Sequence, residues 1–77
     1  MKFQKLTIQN VEVLLRKIES NPGLNKVRST ILNQDAVFSV TETEVRLIEG
    51  EVIPSILPVL QNHVAIYFRP RGRTDNR

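Results

Sequence analysis

Residues able to do chemistry are few in this 77-residue chain, and they are scattered. His63 is the only histidine, and there is no cysteine. One imidazole with no second His and no thiolate makes no transition-metal site of the usual kind. The four serines, Ser20, Ser29, Ser39 and Ser55, lack any nucleophile-elbow context, and a triad built on one histidine is barely possible. Gly23, Gly50 and Gly72 lie too far apart to cradle a phosphate. Glu42, Glu44, Glu49 and Glu51 form an acidic segment. Paired carboxylates do acid–base or cation chemistry only when a cleft holds them at fixed separation, and these spacings match no calcium loop. The acidic segment therefore reads as a solvated edge whose charge discourages unwanted strand pairing. His63 is expected near the end of a helix, donating to terminal carbonyls. No catalytic, cofactor-binding or metal-binding residue is assigned, and an enzyme is not expected.

The arginines have more functional character. Arg69, Arg71, Arg73 and Arg77 crowd the last nine residues, with Tyr67 just upstream. Guanidinium groups pair bidentately with phosphates and carboxylates, and an exposed tyrosine can stack a base beside them. On the body, Lys2, Lys5, Arg16, Lys17, Lys26 and Arg28 could join such a surface. The pair Arg16 and Lys17 would point about 100° apart on a helix, and Glu12 stands four residues before Arg16 as a surface partner. The net charge of +3 is unevenly spread. Residues 1–28 carry six basic groups against two acidic, residues 29–68 one against five, and residues 69–77 four against one. The body to residue 68 is neutral, and the terminal segment supplies the excess. Nucleic-acid binders usually carry basicity on the fold itself, so a protein-interaction module is favoured over one that binds nucleic acid.

The elements that would position these groups follow from apolar periodicity. Val11, Leu14, Leu15 and Ile18 fall at i, i+3, i+4 and i+7, which predicts a helix over about 11–20 with Asn10 as its N-cap. Asn21-Pro22-Gly23 then interrupts the chain. Leu24 to Asn33 fits both a strand and a helix, and its β-branched Val27, Thr30 and Ile31 favour the strand. Ala36 to Thr41 alternates as a strand, and Glu44 to Ile48 reads as another. Ile53, Ile56, Leu57 and Leu60 return to helical spacing. Because Pro58 is tolerated only in a first turn, that helix should begin near Ser55, capped by its hydroxyl. Val64, Ile66 and Phe68 alternate with Ala65 and Tyr67, which predicts a final strand ended by Pro70. Lys2 to Ile8 is a weaker strand.

These elements predict an α+β fold: a small two-layer sandwich with one antiparallel-rich sheet and two helices. Their order is that of a ferredoxin-like split βαβ unit. If residues 22–33 were helical instead, the order would be winged-helix-like, with Lys26 and Arg28 facing outward. One globular domain over residues 1–69 and a flexible basic tail over 70–77 are expected. The expected core is Leu6, Ile8, Val11, Leu14, Leu15, Ile18, Val27, Ile31, Phe38, Val40, Ile56, Leu57, Leu60, Ile66 and Phe68, with Val13, Val37 and Val59 off the buried faces. No apolar run is long enough for a signal-peptide core or a membrane span, and the lack of cysteine suits a reducing compartment, so a cytoplasmic location is expected. The functional expectation is a small non-catalytic protein-interaction or regulatory module whose partner is another protein or itself. The alternative is a nucleic-acid binder using Arg69, Arg71, Arg73, Arg77 and Tyr67 with the N-terminal basic residues. No cofactor, small-molecule substrate or membrane is expected among its partners.

Overall fold

Three pairs of residues bend this chain back on itself, and they decide the architecture. In the computed structural model, which describes residues 3–70, Gln9 and Asn10 have φ of 53° and 66°, and Leu32 and Asn33 have φ of 51° and 67°. Two successive positive φ values are the signature of type I′ hairpin turns, whose twist matches that of the flanking strands. Between them, Pro22 and Gly23 make a third two-residue turn, with Gly23 at φ 80° in the position where a type II turn needs it. Asn10 is thus a turn residue and not a helix cap.

The turns connect β1 (Phe3–Ile8), β2 (Val11–Asn21), β3 (Leu24–Ile31) and β4 (Gln34–Thr41). A bend at Thr41–Glu44 leads to β5 (Val45–Glu49). There the Thr41 hydroxyl oxygen accepts hydrogen bonds from the amides of Thr43 and Glu44, at 3.3 and 3.1 Å. All neighbouring strands are antiparallel, and their order in the sheet is β1-β2-β3-β4-β5, an uninterrupted meander. Among the described residues a single helix, α1 (Leu57–Phe68), follows and lies across one face.

This corrects the expected two-helix sandwich, in both its ferredoxin-like and its winged-helix-like form. The expected first helix is the longest strand. Val11, Val13 and Leu15 also satisfy a period of two, and pairing to strands on both sides decides between the periods. Residues 24–31 form a strand, as the β-branched content favours. The expected final strand is helical, because Leu60, Val64 and Phe68 form an i, i+4, i+8 stripe that continues the helix onto the core. The helix starts one residue later than expected: Ile56 is its N-cap without a side-chain hydrogen bond, and Pro58 occupies the first turn. Among the described residues, no helix is long and apolar enough to cross a membrane.

The core lies between α1 and the inner face of the sheet. Ile8, Val13, Leu15, Val27, Phe38 and Val40 meet Ile56, Leu60, Val64 and Phe68 there. Two side-chain hydrogen bonds fix the ends of the helix to the sheet. The Gln9 amide donates to the carbonyl of Ser55 at 3.2 Å, and the buried Asn25 amide donates to the carbonyl of Phe68 at 2.7 Å. Gly50, with φ 79°, lets the chain leave β5 against the start of β4. A Cβ there would fall 2.5 Å from the Asp35 carbonyl oxygen and 2.9 Å from Ala36 Cα. The core differs from the expected one in a consistent way: Val13 and Val37 are buried, whereas Leu14, Ile18 and Ile66 are exposed. Each reversal at residues 13, 14 and 66 follows from the changed element type.

Candidate binding surface

Among the described residues only one helix covers the sheet, and no element packs on its outer face. Strand alternation places Phe3 and Lys5 of β1, Leu14 and Arg16 of β2, Lys26, Arg28 and Thr30 of β3, and Asp35, Val37 and Ser39 of β4 on that face. The register arranges them in rungs across the sheet. One rung runs Phe3–Arg16–Arg28–Val37, and the next runs Lys5–Leu14–Thr30–Asp35. Arg16 and Arg28 are therefore direct cross-strand neighbours. Like charges opposite each other are usually destabilising, so this pairing is not what a sheet selects for its own stability.

The face is grooved. A shallow depression of about 500 Å³ is lined by Phe3, Lys5, Glu12, Leu14, Thr30 and the Leu32–Asn33 turn. Leu14 and Thr30 also border a second depression of about 200 Å³ that takes in Arg16, Arg28 and Asp35. The two depressions adjoin at Leu14 and Thr30, and apolar, cationic, acidic and hydroxyl groups line them.

Several charges on this face are already matched. Lys5 pairs with Glu12 at 3.2 Å, and Lys26 with Glu19 at 3.6 Å. The Thr30 hydroxyl donates to Asp35 at 2.8 Å. The Glu19 pairing depends on a β-bulge in β2, where Ile18 is the extra residue between Lys17 and Glu19. The insertion switches the side-chain alternation, so Glu19 emerges on the outer face opposite Lys26. A hydrogen bond donated by Asn21 at 3.0 Å, and then the charge of Lys26, hold the Glu19 carboxyl below its ordinary pKa.

The residues singled out in the sequence divide between locations. Lys26 and Arg28 lie on the outer face, in the strand that the β-branched content favoured. Tyr67 and Arg69 are exposed on the far side, at the end of α1. Tyr67 stacks on His63, with ring centroids 6.2 Å apart. His63 is mid-helix, not terminal, and its Nδ1 donates to the Val59 carbonyl at 3.0 Å. Tyr67 and Phe68 meet Phe3 and Gln4 in a small depression at the β1 edge, so Phe3 is the corner between the helix side and the outer face. Arg71, Arg73 and Arg77 lie outside the described residues. The helix expected over 11–20 placed Leu14 in the core and set Arg16 aside as the surface partner of Glu12. Their alternation with Val13 and Leu15 is the signal that identifies them. Among the described residues, no group of three His, Cys, Asp or Glu side chains comes together to hold a metal. No protein-family model, curated protein or solved structure matches this chain.

Proposed function

We propose that this protein is a non-catalytic interaction module that receives an extended, acidic segment of another protein in the groove on the helix-free face of its sheet. The observation that carries this reading is the Arg16–Arg28 pair, two arginines side by side on neighbouring strands in a depression open to solvent that Leu14, Thr30 and Asp35 also line. An extended peptide with alternating acidic and apolar side chains matches such a surface in charge and in spacing. His63, committed to a backbone carbonyl of its own helix, supports the non-catalytic part. Because the chain lacks cysteine, we assign it to the cytoplasm.

Self-association through a sheet edge is less favoured, since β1 offers Lys5 and β5 offers Arg46 and Glu49 along the open edges. Nucleic acid is the second reading, and Phe3 is the observation that favours it: 57% exposed at the end of the arginine rung, it could stack a base. Against it, a phosphate backbone carries a charge at every unit, whereas Glu12, Glu19 and Asp35 interleave with the cations and suit a segment whose acidic residues alternate with apolar ones. Fluorescence anisotropy with a labelled Glu-Leu repeat peptide and with a single-stranded oligonucleotide, each at two salt concentrations, separates the readings. The peptide should bind better, and Arg28→Glu should weaken it about tenfold or more. Tighter oligonucleotide binding that falls steeply with salt would replace this reading with the second. If neither probe binds, both fail.

A further inference from the structure

The helix carries a second apolar face that the sheet does not use. No Asp, Glu, Lys or Arg occurs anywhere in α1. Leu60, Val64 and Phe68 meet the core, while Val59, Asn62 and Ile66 fall on the opposite side at i, i+3 and i+7. Val59 is 38% exposed and Ile66 67%. A helix that meets water normally carries charge on its free face, whereas one that is apolar all round is buried on both sides. Here the sheet covers only one side.

We propose that the free face of α1 is a homodimer interface, on which two copies pack antiparallel about a twofold axis beside Asn62. Three observations select a second copy of this chain. The first is spacing. Val59 lies three residues before Asn62 and Ile66 four after it, so an antiparallel mate sets Val59 against Ile66 in both directions. The second is the Asn62 amide, which offers both donors and an acceptor. Opposite its symmetry mate it makes reciprocal hydrogen bonds, as a single buried Asn does when it fixes the register of paired helices. The third is charge. The chain has a net +3, and the outer sheet face would set Arg16 and Arg28 against their own copies. The helix has no such side chains to oppose its copy. A helix of 12 residues is about 18 Å long, so the contact is smaller than the roughly 800 Å² per partner of a standard interface. The dimer is therefore reversible, with a dissociation constant on the order of 0.1 mM. Its two sheets turn outward and leave both grooves open, so the inference does not rest on what the grooves bind.

Sedimentation equilibrium of the full chain, from about 10 μM to about 1 mM, brackets that constant. The mass should rise from that of one chain to that of two. Ile66→Glu changes an exposed position, so it should stay folded by circular dichroism and raise the dissociation constant about tenfold or more. Arg28→Glu, on the other face, should leave the constant unchanged. Because the chain has no cysteine, Asn62→Cys should cross-link to its mate under mild oxidation, and Ser39→Cys on the outer sheet face should not. The proposal is overturned if the chain stays a single copy throughout, which would leave the helix face to a different protein. It is equally overturned if folded Ile66→Glu dimerises as the natural chain does, if Arg28→Glu weakens the dimer as much, or if the two cysteine variants cross-link alike. Should Ile66→Glu not fold, the cysteine comparison decides.

Discussion

The two faces of this sheet are made by the same strands, residue by residue in alternation, yet they obey different rules. The inner face, under α1, is closed by Leu15, Val27, Phe38 and Val40, all with no measurable exposure. The outer face presents Leu14 and Arg16 of β2 and Arg28 and Thr30 of β3. Leu14 and Leu15 are adjacent and identical in type, but one is 37% exposed and the other fully buried. Position in the pleat, not residue type, determines which leucine holds the fold together.

Substituting each leucine in turn is the sharpest way to break that contrast. Leu15→Asp should abolish cooperative unfolding, since a buried unpaired charge costs several kcal/mol, about the whole stability of a domain this small. Leu14→Asp should keep a cooperative melt and lose about 1 kcal/mol, the burial of a partly exposed side chain. Thermal denaturation followed by circular dichroism reads both. Equal losses in the two variants would mean that the outer face is covered.

The glycines sharpen the comparison at the ends of the sheet. Gly50→Ala should cost about 2–4 kcal/mol, because a positive φ and a collision with the β4 backbone add. Gly23→Ala meets open space, so only its φ is penalised, at about 1–2 kcal/mol. Denaturant midpoints measured on both variants test the ordering.

The smallest effect is expected on the outer face, at Glu19. Its folded pKa lies below its ordinary value, so the folded state binds this proton less readily than the unfolded chain. The contribution to stability is present above the unfolded pKa and disappears as pH falls through the folded one. Glu19→Gln should therefore lower the neutral-pH melt slightly, with the two melts converging in acid, where Glu19 is protonated and its contribution is gone. An unaltered pH profile in that variant would show that the Asn21 and Lys26 contacts do not persist in solution.

How far the sequence revealed this arrangement depends on the region. The strands over 24–31 and 34–41 were legible, because β-branched residues and clean alternation agree there. The 11–21 strand was not. Its two adjacent leucines fit a period of 3.6 as well as a period of 2, and only the partners on either side choose between them. The hairpin turns were equally hidden: Gln9-Asn10 and Leu32-Asn33 carry the αL-tolerant Asn at one position only, where an Asn-Gly pair would have signalled the turn. The terminal helix was half legible, because Val64 and Phe68 fit both the helical stripe and a strand alternation. For the candidate surface, Lys26 and Arg28 were identified and Arg16 was weighed, but Leu14 could not be placed there until the strand carrying it was recognised.

The meander also has a kinetic consequence. Each strand pairs only with its neighbours in the chain, and three of the four connections span two residues. Loop closure is therefore short at those steps, and the sheet can zip hairpin by hairpin at low contact order, faster than most folds dominated by strands. The helix is the exception. It comes last and must reach back to β1, so the apolar face with Leu15 and Phe38 is complete before anything covers it. During synthesis that interval lasts until residues 57–68 have emerged, and aggregation competes with folding most strongly then.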